Sequence, residues 1–499
     1  MQLNDITPSI QPGPAFDNAI ARLKQTGVEL PTFAQLADPG KIPERIRKAL
    51  EKVAPDDPNA ANLFRVHWNN DEYRTGQGAT PRYLVLPEEL TQVKAKIVVA
   101  LGYTFPMIGA HKVLPAYACL VTRLVTGRFD PLNHRAVWPS TGNYCRGGVA
   151  LSRIMGCRGI AVLPAGMSQE RFDWLANWVA DPSDIVRTPG TESNVKEIYD
   201  KCAEMAQDPS NVILNQFSEF GNYLSHISCT GPALERIFND VKKTSPGAKL
   251  AAFVAASGSA GTLAAGDYLK AAQGAKIVAV EASECPTLLY NGHGEHNIQG
   301  IGDKHVPLIH NVMNTDIVVG ISDRATDELD LLFNSSVGKD YLTKRRHVDQ
   351  GVVADLKLIG FSGICNVLAA IKTARRLELG SDDVLVTIAT DSGAMYGSER
   401  EKLSSAHYPD GFDAVSAGEV FGRHLLGLAD NDLIEMTHLD RRRVFNLGYY
   451  TWVEQQGLST ADFDRRKDQS FWQGIAGERA AWDKLIEEFN ARTGVKLGA

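Results

Sequence analysis

A lysine that follows an apolar segment is the first residue in this chain with candidate chemistry. Lys112 stands in the run Gly-Ala-His-Lys-Val, directly before an apolar stretch of helical type. A lysine in such a place usually extends its charged end into solvent. If it is instead partly desolvated beside a cation such as His111, its amine loses a proton more easily and can form a Schiff base. The residue types leave both roles open.

A loop of small and hydroxyl residues separates an apolar strand from a helical segment near the middle of the chain. It consists of Ser257, Gly258, Ser259, Ala260, Gly261 and Thr262. Small residues let backbone N–H groups approach an anion, and the start of the following helix adds positive potential, so this loop could hold a phosphate. Ala260 stands where a dinucleotide-binding loop would have its second glycine. A tight turn without a ligand is the alternative.

Two further loops could contact a small polar ligand. The first consists of Ser140, Thr141, Gly142, Asn143 and Tyr144, and its hydroxyls and N–H groups suit a carboxylate. The second is Thr390-Asp391-Ser392-Gly393, directly after an apolar strand. An ordinary Asn/Gly turn and a helix N-cap are the respective alternatives.

Taken together, one lysine, one phosphate loop and one carboxylate loop are what a pyridoxal-phosphate enzyme needs to act on an amino acid. The order of motifs from residue 95 to 398 resembles the fold-type II pyridoxal-phosphate enzymes, and within them cysteine synthase and cystathionine β-synthase. The motifs, in chain order, are Gly-Ala-His-Lys112, Ser-Thr-Gly-Asn143, Asn-Gln216-Phe, Gly-Ser-Ala-Gly-Thr262, Val-Glu-Ala-Ser-Glu-Cys-Pro286, His-Asn-Ile-Gln-Gly-Ile-Gly302 and Thr-Asp-Ser-Gly393.

The resemblance implies roles for individual residues. Lys112 would hold pyridoxal 5'-phosphate covalently and later move the substrate's α-proton, and Asn143 would bond the ring hydroxyl. Ser392 would face the pyridine nitrogen. The phosphate would be held by Gly258, Ser259, Ala260, Gly261 and Thr262. The substrate carboxylate would be held by Ser140, Thr141, Gly142, Tyr144 and Gln216.

The chain also departs from the family pattern. Phe105–Ala110 replaces the usual Asn-Pro-Thr-Gly-Ser run, and Gly-Ala-His-Lys is closer to the tryptophan synthase β chain. Tyr144 replaces a threonine, which enlarges and polarises the substrate side. Metal ligation by His293, His296 and His305 is a rival interpretation of that stretch.

The resemblance implies a lyase or transferase that acts on an amino acid with a leaving group on Cβ. The reaction would be β-elimination or β-replacement through an aminoacrylate, as in cysteine synthase. One alternative is a serine/threonine-type ammonia-lyase. The other is a degenerate protein that binds the cofactor without turnover.

The elements that must position these loops alternate between apolar strands and helical segments. Predicted strands are 96–101, 159–163, 211–214, 250–254, 276–280 and 384–388. Predicted helices are 149–155, 194–206, 262–270 and 365–376. This alternation predicts an α/β fold with mostly parallel sheets. Ligands in such sheets bind beyond the carboxyl ends of the strands, where the candidate loops lie.

The resemblance extends this to two three-layer α/β/α domains like those of the tryptophan synthase β chain, with helical terminal extensions. We predict an N-terminal extension over 1–80, a smaller α/β domain with the lysine and substrate loop over 81–225, and a larger α/β domain with the phosphate loop over 226–399. A helical C-terminal extension follows over 400–499. Its widely spaced Trp452, Trp472 and Trp482 indicate packing or a subunit contact.

Composition narrows the setting. The 499 residues carry a formal net charge of -7, which removes the basic footprint of non-specific nucleic-acid binding. Neither a signal peptide nor a membrane span is expected, because the N-terminus is acidic and the uncharged stretch 250–266 is interrupted by glycine and serine. Seven scattered cysteines predict a reducing, cytoplasmic setting, with Cys145 either buried or a redox-sensitive thiol. The expected partners are a small amino-acid substrate and, from the resemblance, a second copy in a homodimer.

Overall fold

The structure is a computed structural model that describes residues 7–498. Within this range two β-sheets organise the chain. The strands are β1 Tyr83–Leu86, β2 Lys96–Leu101, β3 Arg135–Pro139, β4 Arg158–Pro164, β5 Ile185–Thr188, β6 Asn211–Ile213, β7 Lys249–Ala256, β8 Lys276–Ala282, β9 Ile317–Ile321, β10 Asp383–Ala389 and β11 Leu433–Glu435. The larger sheet has the order β1-β2-β10-β7-β8-β9-β11, and the smaller has the order β5-β4-β3-β6.

Helices cover both sheets and form most of the terminal regions. Within residues 7–498 the α-helices are α1 Pro14–Thr26, α2 Phe33–Ala37, α3 Glu44–Leu50, α4 Glu88–Thr91, α5 Val113–Thr126, α6 Asn143–Met155, α7 Gln169–Trp178, α8 Val195–Met205, α9 Phe220–Ser225, α10 Gly231–Thr244, α11 Leu263–Gln273, α12 Thr287–Tyr290, α13 Asp323–Asn334, α14 Ser336–Arg346, α15 Gln350–Asp355, α16 Phe361–Arg376, α17 Gly397–His407, α18 Ala414–Phe421, α19 His438–Tyr449, α20 Thr460–Arg465, α21 Gln469–Gly477 and α22 Arg479–Thr493.

The smaller sheet is wholly parallel, and the larger one is parallel except at its two edges. There β1 runs antiparallel to β2, and β11 runs antiparallel to β9. Helix α16 contacts the larger sheet along β10, β7 and β9, while α6 and α8 pack on β3 and β4 of the smaller sheet. The predicted α/β class, with layered parallel sheets and helical extensions, is confirmed.

Strand β2 shows why the larger sheet is buried on both faces. Val98 and Ala100 belong to one hydrophobic cluster, and Ile97 and Val99 belong to another. Because successive strand side chains point to opposite faces, an unbroken apolar run fills two cores at once. The apolar run 96–101 is therefore the pattern of a strand that is buried on both faces.

Sheet pairing divides the chain differently from the predicted domain ranges. The range 81–225 contains β1 and β2, but these strands pair in the larger sheet, because β2 lies parallel to β10 from Lys96 to Leu101. The four strands of the smaller sheet lie between Arg135 and Ile213. Along the chain, β1 and β2 belong to the larger sheet, β3 to β6 form the smaller one, and β7 to β11 complete the larger one. The boundaries at 80, 225 and 399 stay a prediction.

The terminal extensions pack on the central α/β body. Residues 400–498 are mostly helical as predicted, but they also supply β11, a short edge strand that the sequence interpretation missed. Trp452, Trp472 and Trp482 are all buried in the largest hydrophobic cluster, which confirms the packing interpretation. Among residues 7–498, no helix combines the length and the apolar character needed to cross a membrane.

Candidate active site

Lys112 lies where the two sheets approach each other. It precedes α5 at the end of the segment that follows β2. Its Nζ lies 3.2 Å from Ser259 Oγ, after β7 of the larger sheet, and 3.5 Å from Gln216 Oε1, after β6 of the smaller one. Strands β2, β10 and β7 are neighbours, so the loops at their carboxyl ends meet here.

An aromatic cluster fills the space behind Lys112. His111 is fully buried and stacks on Trp68 at 5.5 Å between ring centres, with His226 edge-on at 5.3 Å. Burial and the neighbouring Lys112 hold the pKa of His111 well below its usual range. Within residues 7–498 its ring nitrogens have no hydrogen-bond partner. His111 is therefore an uncharged packing group, so burial, rather than a cationic histidine, alters the lysine.

The predicted phosphate loop has the shape of an anion cradle. It joins β7 to the start of α11, and hydrogen bonds among residues 7–498 leave the backbone N–H groups of 258–262 unused. A Cβ on Gly258 would lie 2.7 Å from the carbonyl oxygen of Gly300, and one on Gly261 would overlap the Asn222 side chain. Ala260 has a φ of 62°, in the left-handed region that favours glycine. Small residues are thus required at this turn.

The predicted carboxylate loop joins β3 to α6. The Gly142 N–H donates to Ser140 Oγ at 3.0 Å, and Gly142 packs so closely on Arg171 that a Cβ would overlap the guanidinium. Asn143 donates from Nδ2 to Asp391 at 2.7 Å and accepts from Arg146 at 2.9 Å. These bonds fix the Asn143 amide and leave one of its two hydrogens for a ligand.

The lysine and both loops line one cavity, part of which is open to solvent. Its lining residues are Lys112, Ser140, Thr141, Asn143, Tyr144, Glu192, Gln216, Phe217, Gly258, Ser259, Gly300, Asp303 and Thr390. Eight of the predicted site residues are in this set. Gly142, Ala260, Gly261 and Thr262 lie just behind it, within the same two loops.

Ser392 is placed differently from the other predicted site residues. The loop after β10 presents Thr390 to the cavity, while Asp391 is buried against Asn143. Ser392 precedes the short 3-10 helix Gly393–Tyr396 and does not line the cavity. A role for Ser392 at a pyridine nitrogen stays a prediction.

Two buried carboxylates in the cavity were missed by the sequence interpretation. Glu192 follows β5, and Asp303 follows the His296–Gly302 stretch that carried part of the resemblance. Both positions lie beyond strand ends or beside a quoted motif, which was the available signal. An acidic residue in a loop is ordinarily solvated, however, and only the fold shows that these two are buried.

The cavity perturbs its ionisable groups in opposite directions. Burial lowers the pKa of Lys112 to about 8, against the opposing influence of Asp303 and Glu192. Burial raises the pKa of Asp303 to about 7, which Lys112 partly offsets, and that of Glu192 to about 8. All three groups therefore exchange protons near neutral pH, as acid–base groups in active sites do.

Two of the three histidines of the rival metal interpretation, His296 and His305, have other partners. His296 Nε2 lies 2.7 Å from the Gly302 carbonyl oxygen, and His305 Nε2 lies 3.1 Å from the Tyr199 hydroxyl. Among residues 7–498, no three His, Cys, Asp or Glu side chains are grouped to hold a metal ion. Cys145 is buried, and burial raises its thiol pKa to about 12, which confirms the buried alternative.

A family model described as pyridoxal-phosphate dependent enzyme matches residues 41–330. The chain belongs to this family. The match spans both candidate loops and Lys112, so this protein is a pyridoxal-phosphate-dependent enzyme.

Individual relatives agree with the family. The chain is 29% identical to a probable cysteine synthase of Bacillus subtilis over 314 residues, which is 62% of this chain and 89% of the relative. It is 27% identical to cystathionine beta-synthase of Saccharomyces cerevisiae over 283 residues, 54% of this chain and 51% of the relative. The solved structure of a cysteine synthase from Entamoeba histolytica matches with a TM-score of 0.53 and 21% identity, covering 70% of this chain and 93% of that one.

The residues present fit the cofactor of this family. A phosphate needs several free donors at a helix start, and the unused N–H groups of 258–262 precede α11. An aldehyde needs an amine that can lose its proton, and the pKa of Lys112 is about 8. The space between these groups is lined by Asn143 and Thr390, so a polar ring would have partners there.

Proposed function

We propose that this protein catalyses β-elimination or β-replacement on an amino acid that carries a leaving group on Cβ. The position of Lys112 carries this proposal, because its Nζ lies 3.2 Å from Ser259 in the phosphate loop and faces the carboxylate loop across one cavity. The relatives named cysteine synthase and cystathionine beta-synthase support the same reaction class.

The chain would hold pyridoxal 5'-phosphate between its two sheets. Lys112 would carry it, Asn143 would bond the ring, and Ser392 stays the proposed residue at the ring nitrogen. The phosphate would lie on Gly258, Ser259, Ala260, Gly261 and Thr262. When bound, the cofactor supplies an electron sink that makes the α-proton of an amino acid acidic.

Substrate binding falls to the opposite loop. The hydroxyls of Ser140 and Thr141 line the cavity beside the start of α6, where the helix dipole favours a carboxylate. Gly142, Tyr144 and Gln216 complete the proposed carboxylate site. Tyr144 packs edge-on against Trp138, with 5.4 Å between ring centres, which fixes its ring at the substrate side.

Proton transfer at Cα falls to Lys112. A pKa of about 8 leaves part of its amine population neutral at pH 7, so Nζ can accept the α-proton. A lysine at its ordinary pKa of about 10.4 would be almost wholly charged at that pH. Burial of Nζ thus provides the base without a separate histidine.

We also propose a homodimer in the cytoplasm. The described cysteines are all free thiols, which fits a reducing compartment. Light scattering on the purified protein tests the dimer, and a mass of one 54.4 kDa chain would contradict it.

The central test is the visible absorbance of the purified protein. Wild type is expected to show a cofactor band that Lys112→Ala removes, while Lys372→Met, which changes another buried lysine, keeps it. Adding L-serine, L-cysteine or O-acetyl-L-serine is then expected to change the spectrum and release pyruvate. Suppression of pyruvate release by an added thiol indicates replacement, whereas release unaffected by thiol favours the ammonia-lyase alternative. A spectrum indifferent to every amino acid would support the degenerate alternative.

A further inference from the structure

Two carboxyl groups without full hydrogen bonding face the proposed substrate space. Glu192 is 1% exposed and Asp303 is 6% exposed, and both line the cavity with Lys112. Within residues 7–498, Glu192 Oε2 and Asp303 Oδ2 have no hydrogen-bond partner. A buried carboxyl oxygen left unpaired is costly, so such a group is usually kept for a ligand or a reaction.

The two carboxyl groups interact with each other and with the lysine. Asp303 contributes to raising the pKa of Glu192, and Lys112 lowers that of Asp303. Arg171 and Thr141 also act on Glu192, and lower its pKa. Two nearby carboxyl groups in a desolvated space ionise reluctantly together, so the pair retains a proton near pH 7.

We propose that Glu192 and Asp303 form an acid pair that protonates the group leaving Cβ, and that the substrate therefore carries a free hydroxyl or thiol there. This inference rests on the function proposed above and adds the substrate class. A free hydroxyl or thiol is a poor leaving group, because it departs as a basic anion unless an acid supplies a proton. An acylated hydroxyl departs as a stable carboxylate, which the pair would repel.

The proposed step conserves protons and electrons. Lys112 accepts the α-proton, and the electron pair of the broken C–H bond forms the Cα–Cβ double bond. The bond between Cβ and oxygen or sulfur breaks, and its electron pair stays on the departing atom. The acid pair gives one proton to that atom, so water or hydrogen sulfide leaves and the pair gains one negative charge. In replacement, an incoming thiol returns a proton to the pair as it attacks Cβ. In elimination, solvent returns it.

The groups around the pair determine what a pH titration would report. Lys112 faces Asp303, and Arg171 and Thr141 face Glu192. Tyr199 and Cys285 also interact with Asp303, but burial raises the pKa of both, so they stay neutral near pH 7. Among the described residues that act on the pair, Lys112 and the pair itself have pKa values of about 7 to 8.

The test compares substrates on the holoenzyme. Asp303→Asn and Glu192→Gln are assayed with L-serine, L-cysteine and O-acetyl-L-serine. Asp267→Asn is the control, because Asp267 is a half-buried carboxylate that is bonded to Tyr223, Asn311 and Asn314 outside this cavity. We expect kcat for the free hydroxyl or thiol substrate to fall about 100-fold in Asp303→Asn. With O-acetyl-L-serine it should change less than about threefold, and the control should keep both rates.

Spectroscopy gives a readout that does not depend on turnover. In wild type, the visible absorbance of the bound cofactor should change between pH 6 and 9 as the pair ionises. The Glu192→Gln/Asp303→Asn double variant should lose that change, and Asp303→Glu should restore it. If Asp303→Asn fails to fold, Glu192→Gln alone carries the comparison.

Three results would overturn the inference while leaving the proposed function standing. They are a wild-type preference for O-acetyl-L-serine, an equal loss on both substrate classes, and a preference for L-2,3-diaminopropionate, which would make the pair a site for a cationic amine. Failure of the proposed function is recognised separately, by a wild-type protein without a cofactor band or by a band that survives Lys112→Ala.

Discussion

The two terminal extensions support different parts of the cavity lining, and they do so in different ways. The N-terminal extension contributes Trp68, which stacks on His111 directly beside Lys112. The C-terminal extension supports the segment after Asp303, where Trp452 Nε1 donates to the Val306 carbonyl at 2.7 Å and Arg466 donates to that of Leu308 at 2.7 Å. One wall is held by dry ring packing and the other by hydrogen bonds to an irregular backbone.

This difference follows from what each wall must hold. Lys112 directly precedes α5, so the helix already fixes its backbone and the extension needs only to exclude water. The segment 291–316 has little regular structure of its own, so its carbonyls need donors from elsewhere. The N-terminal extension therefore shields Lys112 from water, whereas the C-terminal extension supplies hydrogen-bond donors to the segment 291–316.

The largest expected effect on stability comes from Trp68, which packs beside His111 and Lys112. Trp68→Ala should lower the free energy of unfolding by about 3–5 kcal/mol, because it leaves a cavity beside Phe105 and His111 and removes the indole donor to Thr230. Chemical denaturation measures this. Tyr73→Ala, at a 72% exposed site in the same extension, should stay within about 0.5 kcal/mol of wild type. A Trp68→Ala protein as stable as this control would remove the contrast.

The next largest expected effect is on the pH dependence of the free energy of unfolding, through Asp303. The pKa of Asp303 is raised to about 7 in the folded protein, so the folded state binds its proton more tightly than the unfolded state. The contribution of protonated Asp303 to the free energy of unfolding is then fully present below about pH 4. It is lost as the pH rises towards 7, which lowers the free energy of unfolding by up to about 4 kcal/mol. Asp303→Asn should flatten this decline in denaturation measured from pH 4.5 to 8.5. Parallel curves for wild type and variant would contradict the assignment.

Most of the site could be predicted from sequence, but its two acidic residues could not. Lys112, Asn143 and the loop at Gly258 follow apolar strands in a recognisable order, so local pattern and resemblance were sufficient. Glu192 and Asp303 are acidic residues in loops, and their significance depends on burial, which is set by contacts distant in sequence. The placement of β2 in the larger sheet likewise depends on pairing with β10, nearly 290 residues later in the chain.

Hydrogen bonds between the two terminal extensions are expected to have an intermediate effect on stability. Asn490 in α22 donates to the Leu30 carbonyl at 2.8 Å and accepts from the Leu30 N–H at 3.0 Å. Asn490→Ala should cost about 1–3 kcal/mol, because it leaves both backbone groups without a partner. Denaturation measures the loss, and Asn177→Ala, at an exposed site, is the control. A cost below about 0.5 kcal/mol would mean that the two extensions are held independently.

The smallest expected effect on stability comes from Trp452, which donates a hydrogen bond to the segment after Asp303. Trp452→Phe removes the donor to Val306 and should cost about 1 kcal/mol. Trp482→Phe is the control, since Trp482 is also buried in the same extension, in α22. Both should lose similar stability, but only Trp452→Phe should lower kcat, through the backbone that carries Asp303. Equal kcat values in the two variants would mean that Trp452 does not affect catalysis through the segment that carries Asp303.

The meeting of α22 with the N-terminal helices has a consequence for synthesis of the chain. Phe489 contacts Phe16, and α22 also packs on α2 and α5, the helix that begins directly after Lys112. A ribosome adds residues in order, so Phe489 is made roughly 380 residues after Lys112. The larger sheet likewise waits for β10 to pair with β2, so both this sheet and the packing around α5 are completed late in synthesis.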